Sequence, residues 1–136
     1  MQPFGSPTQF PLNIPTGETT PGGTNVSDNL IPAGTTTTQT NIPLGCSSSK
    51  YVAIVTKVTA GTSVTITISG ITASGFTYVL LTSAAVASGT TIEIQVGPNL
   101  PVTANVSANA ILPPNLLITA TVNTSATFGV DYILNA

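Results

Sequence analysis

The stretch "KYVAIVTKVTAGTSVTITIS", residues 50–69, decides the fold. Its first part, residues 50–58, is apolar at nearly every position, as expected for a strand that is covered on both faces or lies at an interface. Its last part, residues 63–69, alternates Val64, Ile66 and Ile68 with threonines, which is the pattern of a strand with one buried face. We interpret residues 60–62, "AGT", as a tight connection between two separate strands.

Similar patterns recur along the chain, at intervals of roughly 10–15 residues. No apolar residues recur at helical spacing over a helix's length, so the sequence predicts an all-β protein, an antiparallel β-sandwich of six to seven strands with a jelly-roll or immunoglobulin-like arrangement. Between residues 97 and 115 we expect a long irregular segment. The further predicted strands are a polar edge strand at 35–42, then 76–82, 90–98 with Ile92, Ile94 and Val96 inward, 116–122, and 127–136 with Phe128, Val130, Tyr132 and Leu134 on one face.

The first 29 residues have a different character. Prolines stand at positions 3, 7, 11 and 15, and each fixes its own φ and restricts the residue before it. We therefore predict an extended arm over residues 1–29, followed by a β-sandwich domain over residues 30–136. Such a segment loses little conformational entropy on binding, so we favour its docking on other molecules over its docking on its own domain. The predicted anchors for a partner are the apolar side chains Phe4, Phe10, Leu12 and Ile14.

The chain is poor in charge. Charged residues make up 4% of it, with a net charge of −2, whereas a typical soluble domain has roughly a quarter. Because the solubility of a free monomer usually depends on net charge, this composition suits a protein whose surface is largely covered by neighbours. Two cationic side chains are too few for nucleic-acid binding, and no apolar run has the length of a membrane span. No secretory signal pattern opens the chain, so we expect synthesis in a cytoplasm.

The sequence offers little for catalysis. It contains no histidine, the commonest general base and metal ligand, and no loop carries two carboxylates for calcium. Glu93 and Asp131 occupy outward strand positions and would approach each other if their strands pair, but we favour two solvated charges over a glycosidase pair. Cys46 is the only cysteine, so we expect a small buried or loop thiol. We predict no enzyme, no metal site, no cofactor and no small-molecule substrate.

Three short motifs stand in the C-terminal half: "GPNL" at residues 97–100, "ANVSAN" at 104–109 and "LP" at 112–113, ahead of two predicted final strands. In this pattern the chain resembles small β-sandwich virion proteins of tailed bacteriophages over roughly residues 50–136. Basic or aromatic residues often follow the Leu-Pro in those proteins, whereas Pro114, Asn115 and Leu116 follow it here. An extended arm before a compact β-domain is also similar to their head decoration, or cement, proteins.

This resemblance implies a structural protein that binds the outside of the assembled head and clamps neighbouring capsid subunits through its arm. The implied partners are the major capsid protein and further copies of the chain, as a homo-oligomer and often as trimers at symmetry axes, with no nucleic acid and no membrane. The implied location is the capsid surface of the virion, after synthesis in the host cytoplasm. The alternatives are another virion part, such as a tail, neck or fibre module, and a pilus-like subunit.

Overall fold

The computed structural model of the chain describes residues 25–47 and 49–135. These residues form strands and no helix, which confirms the all-β prediction. All the pairs of neighbouring strands are antiparallel except one, since β7 runs parallel to β6. The strands are β1 (Val26–Thr35), β2 (Gln39–Gly45), β3 (Tyr51–Ile71), β4 (Thr77–Thr82), β5 (Val86–Ala87), β6 (Thr91–Gly97), β7 (Ser107–Asn109) and β8 (Asn115–Asn135).

Two long strands organise the fold. β3 and β8 have 21 residues each and pair antiparallel from Tyr51 opposite Asn135 to Gly70 opposite Leu116. The register shifts twice near the middle of β3, on either side of residues 60–61, and such irregularities bend a strand and increase its twist. We name the halves on the two sides of this bend the first layer, where β1, β6 and β7 flank β3 and β8, and the second layer, where β2, β4 and β5 flank them.

The predicted connection at residues 60–62 is therefore wrong, because the chain continues as one strand through this point. Gly61 explains the continuity, since its φ of +91° lets the backbone turn sharply without the steric cost that a side chain would add. The two predicted final strands, 116–122 and 127–136, are likewise two halves of the single strand β8. Each long strand thus contributes to both layers.

The core lies between the two layers and is built mainly from even-numbered residues of β3 and β8. These side chains alternate with more exposed neighbours and belong to one hydrophobic cluster that spans both layers. The predicted inward residues of β6 and of the last strand segment are in or against this cluster, as expected. Burial of each large aliphatic or aromatic side chain contributes about 1.5–3 kcal/mol. The largest fully buried side chains of this hydrophobic cluster include Ile31, Ile54, Ile66, Ile68, Ile94, Leu116, Ile118, Phe128 and Leu134.

Two segments depart from the expected pattern. The polar stretch at residues 35–42 is divided between the end of β1 and the start of β2, and β1 begins at Val26, inside the predicted arm. The irregular segment after Gly97 contains the short strand β7, which pairs with β6 at residues 95–97. The rest of the predicted arm, residues 1–24, lies outside the described residues, so its extended conformation stays a prediction.

One polar group in the core has no hydrogen-bond partner among the described residues. Thr56 is fully buried on the inward face of β3, and its Oγ1 atom makes no hydrogen bond. We expect Thr56→Val to raise the free energy of unfolding by about 1 kcal/mol, because valine has the same shape and removes an unsatisfied hydroxyl. Urea denaturation measures this change. The matched control is Thr65→Val, which removes an oxygen that accepts a hydrogen bond from Asn123 at 3.0 Å and should not stabilise the protein; equal gains for both variants would contradict the explanation.

Candidate interaction surface

The sheet has several free edges, and most of them carry features that discourage pairing with another chain. β1 contains Asp28, which is exposed, and Pro32, and β2 contains Pro43. Charges and prolines on an edge strand are known devices against edge-to-edge association. β5 and β7 are only two and three residues long, and short edges give a partner little to pair with.

The edge of β4 differs from the others. We name residues 76–82, "FTYVLLT", the β4 edge; it contains no proline and no charged residue. Three of its large apolar side chains are exposed to solvent, with Phe76 at 71%, Val79 at 65% and Tyr78 at 41%. The pairing of β4 with β3 has one register shift, between Val79 and Leu81. An apolar edge strand without charges or prolines is a template for strand addition.

The backbone hydrogen bonds of β4 show which groups face outward. The Thr72 N–H donates to the carbonyl of Phe76 at 2.8 Å, and Tyr78 stands opposite Gly70 two residues further along. Because bonded pairs alternate in an antiparallel ladder, the N–H and C=O groups of Thr77 and Val79 point away from β3. At the far end, Asn105 Nδ2 donates to the Thr82 carbonyl at 2.9 Å, so the open stretch of the edge ends before Thr82.

Tyr78 fixes the position of the β4 edge against the end of the sandwich. Its ring lies on Gly70, where an added Cβ would be 2.6 Å from the ring atom Cζ; only glycine leaves room for this contact. Tyr78 also lines an open cavity of about 400 Å³ together with Pro113 and Pro114. The apolar edge strand and the connection into β8 therefore form one continuous part of the surface.

Further exposed apolar side chains lie on the connection between β6 and β8. Val102 is 78% exposed, Val106 is 47% exposed and Ile111 is 85% exposed. With the β4 edge, they account for all the large exposed hydrophobics of the described residues. A soluble monomer rarely exposes large contiguous apolar patches, and the concentration of these side chains on two neighbouring segments makes this side of the molecule the candidate interaction surface.

The carboxylates considered for catalysis are separated by a strand. Glu93 and Asp131 both stand opposite Val55, one on each side of β3, so their backbones are about 10 Å apart at two strand spacings of roughly 4.8 Å. Asp131 Oδ1 accepts a hydrogen bond from Asn29 Nδ2 at 3.0 Å, and Glu93 Oε2 accepts one from Gln95 Nε2 at 3.0 Å. The strands β6 and β8 do not pair, so the two carboxylates are separate surface groups.

The described part of the chain contains no group of three or more potential metal-ligating side chains. It also contains no helix of the length and apolarity needed to span a membrane. Cys46 is buried, as expected, and its Sγ atom donates to the carbonyl of Pro113 at 2.9 Å. Burial raises the pKa of the Cys46 thiol to about 11, so the thiol is protonated at neutral pH and is a poor nucleophile or disulfide partner.

The predicted anchors Phe4, Phe10, Leu12 and Ile14 all lie outside the described residues, so their role stays a prediction. Sequence reasoning did not identify the β4 edge or the exposed apolar residues after β6 as an interaction surface. For the β4 edge, one signal was available in the sequence. Four consecutive apolar residues, 78–81, indicate a strand that is apolar on both faces, which is unusual at a solvent-exposed edge.

No protein-family model matches the chain, and no curated protein matches it. Among solved structures it is similar to a chain of the disulfide-linked pili of Bacillus endospore appendages, with 17% identity over 83% of both chains and a TM-score of 0.45. It is also similar to a chain in the structure of infectious bursal disease virus Gx strain, with 14% identity, a TM-score of 0.40, and coverage of 95% of this chain and 40% of that one. Neither similarity by itself assigns a function.

Proposed function

We propose that this protein is a structural, non-catalytic component of a virion, and that it decorates the head of a tailed bacteriophage. The observation that supports a role in an assembly is the candidate interaction surface, which combines the apolar β4 edge with exposed Val102, Val106 and Ile111 on the connection between β6 and β8. Asn105 of this connection donates a hydrogen bond to the Thr82 carbonyl of β4. Charged residues make up 4% of the chain, so electrostatic repulsion does little to prevent association through this surface. The bacteriophage head is the assembly that the sequence resemblance implies.

In this proposal the sandwich lies on the outside of the shell and the arm, residues 1–29, contacts neighbouring subunits. The protein stabilises the head because it binds the assembled lattice and not the free capsid subunits, so mass action favours the closed shell. Repeated weak contacts around the shell add avidity. Cys46 is the chain's one cysteine and is buried, so the proposed contacts do not depend on a disulfide.

The test is the location of the protein in purified particles. Particles banded on a density gradient should contain the protein at a fixed ratio to the major capsid protein, measured by quantitative mass spectrometry. A variant that lacks residues 1–20 should be reduced or absent in the particles, while its circular dichroism still shows a folded β-domain. The matched control is a full-length Thr59→Ala variant, since Thr59 is an exposed residue of β3 far in sequence from the arm.

Two outcomes overturn the proposal. If the protein is absent from the banded particles, it is not a component of the virion. If the producing cells contain the protein in fibres without capsid protein, and the banded particles lack it, it is a pilus-like subunit, a function that the open β4 edge would serve equally well. Full occupancy by the variant without residues 1–20 rejects the role of the arm.

A further inference from the structure

We propose that the β4 edge of one copy accepts residues 8–15 of a second copy as an added strand. The inference rests on the proposed function only in treating the protein as a subunit of a multi-copy assembly. It goes further by naming both halves of the contact between copies. The acceptor is a described strand edge, and the donor is a segment of the same chain that lies outside the described residues.

The acceptor offers backbone groups and apolar surface together. Thr77 and Val79 turn their N–H and C=O groups away from β3, and within the described residues no other strand pairs with β4. Phe76 and Val79 expose most of their surface beside these groups. In strand addition, main-chain hydrogen bonds provide affinity and alternate side chains provide specificity. The edge lacks the charges and prolines that would oppose this pairing.

The donor has the matching pattern. Residues 8–15 have the sequence "TQFPLNIP", in which Phe10, Leu12 and Ile14 alternate with Pro11 and Asn13. In a strand, alternate residues share both a side-chain face and a hydrogen-bonding edge. The three apolar residues, all with an N–H group, would therefore pair along one edge, whereas the prolines fall on the opposite edge, where no donor is needed. The segment suits addition to a single strand and leaves an outer edge that resists further pairing.

The geometry favours exchange between copies over docking on the same copy. The arm joins β1 at Asn25, whose Oδ1 accepts a hydrogen bond from Asn135 Nδ2 at 2.7 Å. β1 lies on the β8 side of the sandwich, whereas β4 lies on the β3 side. The arm therefore enters the chain in the first layer, whereas the β4 edge belongs to the second layer. A neighbouring copy can present its β4 edge to the arm without requiring the arm to pass from one layer to the other.

The experiment compares full-length variants by light scattering over a concentration series. The wild-type chain should form species larger than its monomer of 13.7 kDa. Leu12→Asp removes an apolar donor residue, and Val79→Lys places a charge on the acceptor edge. Each should raise the concentration at which half of the protein is assembled by about tenfold or more, equivalent to about 1.4 kcal/mol. The matched control Thr59→Lys adds the same charge at an exposed position of β3 outside the candidate interaction surface, and it should assemble like the wild type.

A mixing experiment then tests the exchange itself. The Leu12→Asp chain keeps its acceptor edge and the Val79→Lys chain keeps its donor segment. At a concentration where each variant alone is monomeric, an equimolar mixture should therefore form a one-to-one dimer. Amide hydrogen exchange adds a residue-level check. On assembly of the wild type, the amides of Thr77 and Val79 should become protected, while Tyr78, already opposite Gly70 in the ladder, should change little.

The proposal is overturned if the wild type stays monomeric at every concentration, if Val79→Lys assembles as well as Thr59→Lys, or if the mixture of variants stays monomeric. A monomer in which Thr77 and Val79 are protected by the chain's own arm also overturns it. Failure here is distinguishable from failure of the proposed function. A protein that bands with virions but does not exchange its arm rejects only the strand addition, and one that exchanges its arm but is absent from virions rejects only the virion role.

Discussion

Gly61→Ala is expected to lower the free energy of unfolding by about 3 kcal/mol or more, a large part of the stability of a typical domain. Gly61 has a φ of +91°, and an added Cβ would lie 2.6 Å from Ala126 Cα and 2.7 Å from the Ser125 carbonyl oxygen. Both contacts are to backbone of β8, which cannot move without disturbing its pairing with β3. The alanine therefore adds a steric clash to an unfavourable backbone conformation at the bend. Urea denaturation of the two proteins measures the difference.

Gly89→Ala is the matched control for this substitution. Gly89 has a similar φ of +84°, but nothing lies within 4 Å of the position of its added Cβ. Gly89→Ala should therefore lower the free energy of unfolding only by the cost of an alanine in this backbone conformation, about 1–2 kcal/mol. Equal losses at the two sites would show that the close packing of β3 on β8 at the bend is unimportant.

Phe128→Ala is expected to lower the free energy of unfolding by about 3–5 kcal/mol, the usual range for removal of a buried aromatic side chain. Phe128 is 1% exposed and stands opposite Val58 of β3 and Thr35 of β1. Its removal opens a cavity in the single core that the two layers share. The same substitution at Phe76, which is 71% exposed, should change stability by no more than about 0.5 kcal/mol. Thermal denaturation of both variants provides the comparison, and a similar cost at the two positions would contradict the described burial.

The faces of the strands were predictable from sequence because alternation reports burial directly. Ile66 and Ile68 in β3, and Val130 and Leu134 in β8, were expected inward and are buried. The continuity of β3 was not predictable, because "AGT" at residues 60–62 is compatible with both a turn and a bend. Whether these residues form a turn or a bend depends on pairing with β8, which is far away in the sequence. β7 was missed because three residues are too few to show any periodicity.

The candidate site was predictable only in part. Residues 76–82 were expected to form a strand, and β4 occupies all of them but the first. Their position at an edge depends on which strands pair, and local sequence carries no such information. The anchors Phe4, Phe10, Leu12 and Ile14 were proposed from their spacing among prolines, and the variants described above test one of them directly.

Because β3 and β8 each run through both layers, neither layer can be completed before the other has its central strands. Their ladder joins residues 51–70 to residues 116–135, so a long segment of chain must close before the first of these contacts forms. Folds dominated by such distant contacts reach the native state slowly, on the scale of milliseconds to seconds. The two halves should also denature together, in a single cooperative transition in which loss of pairing on one side of Gly61 removes the central strands from the other.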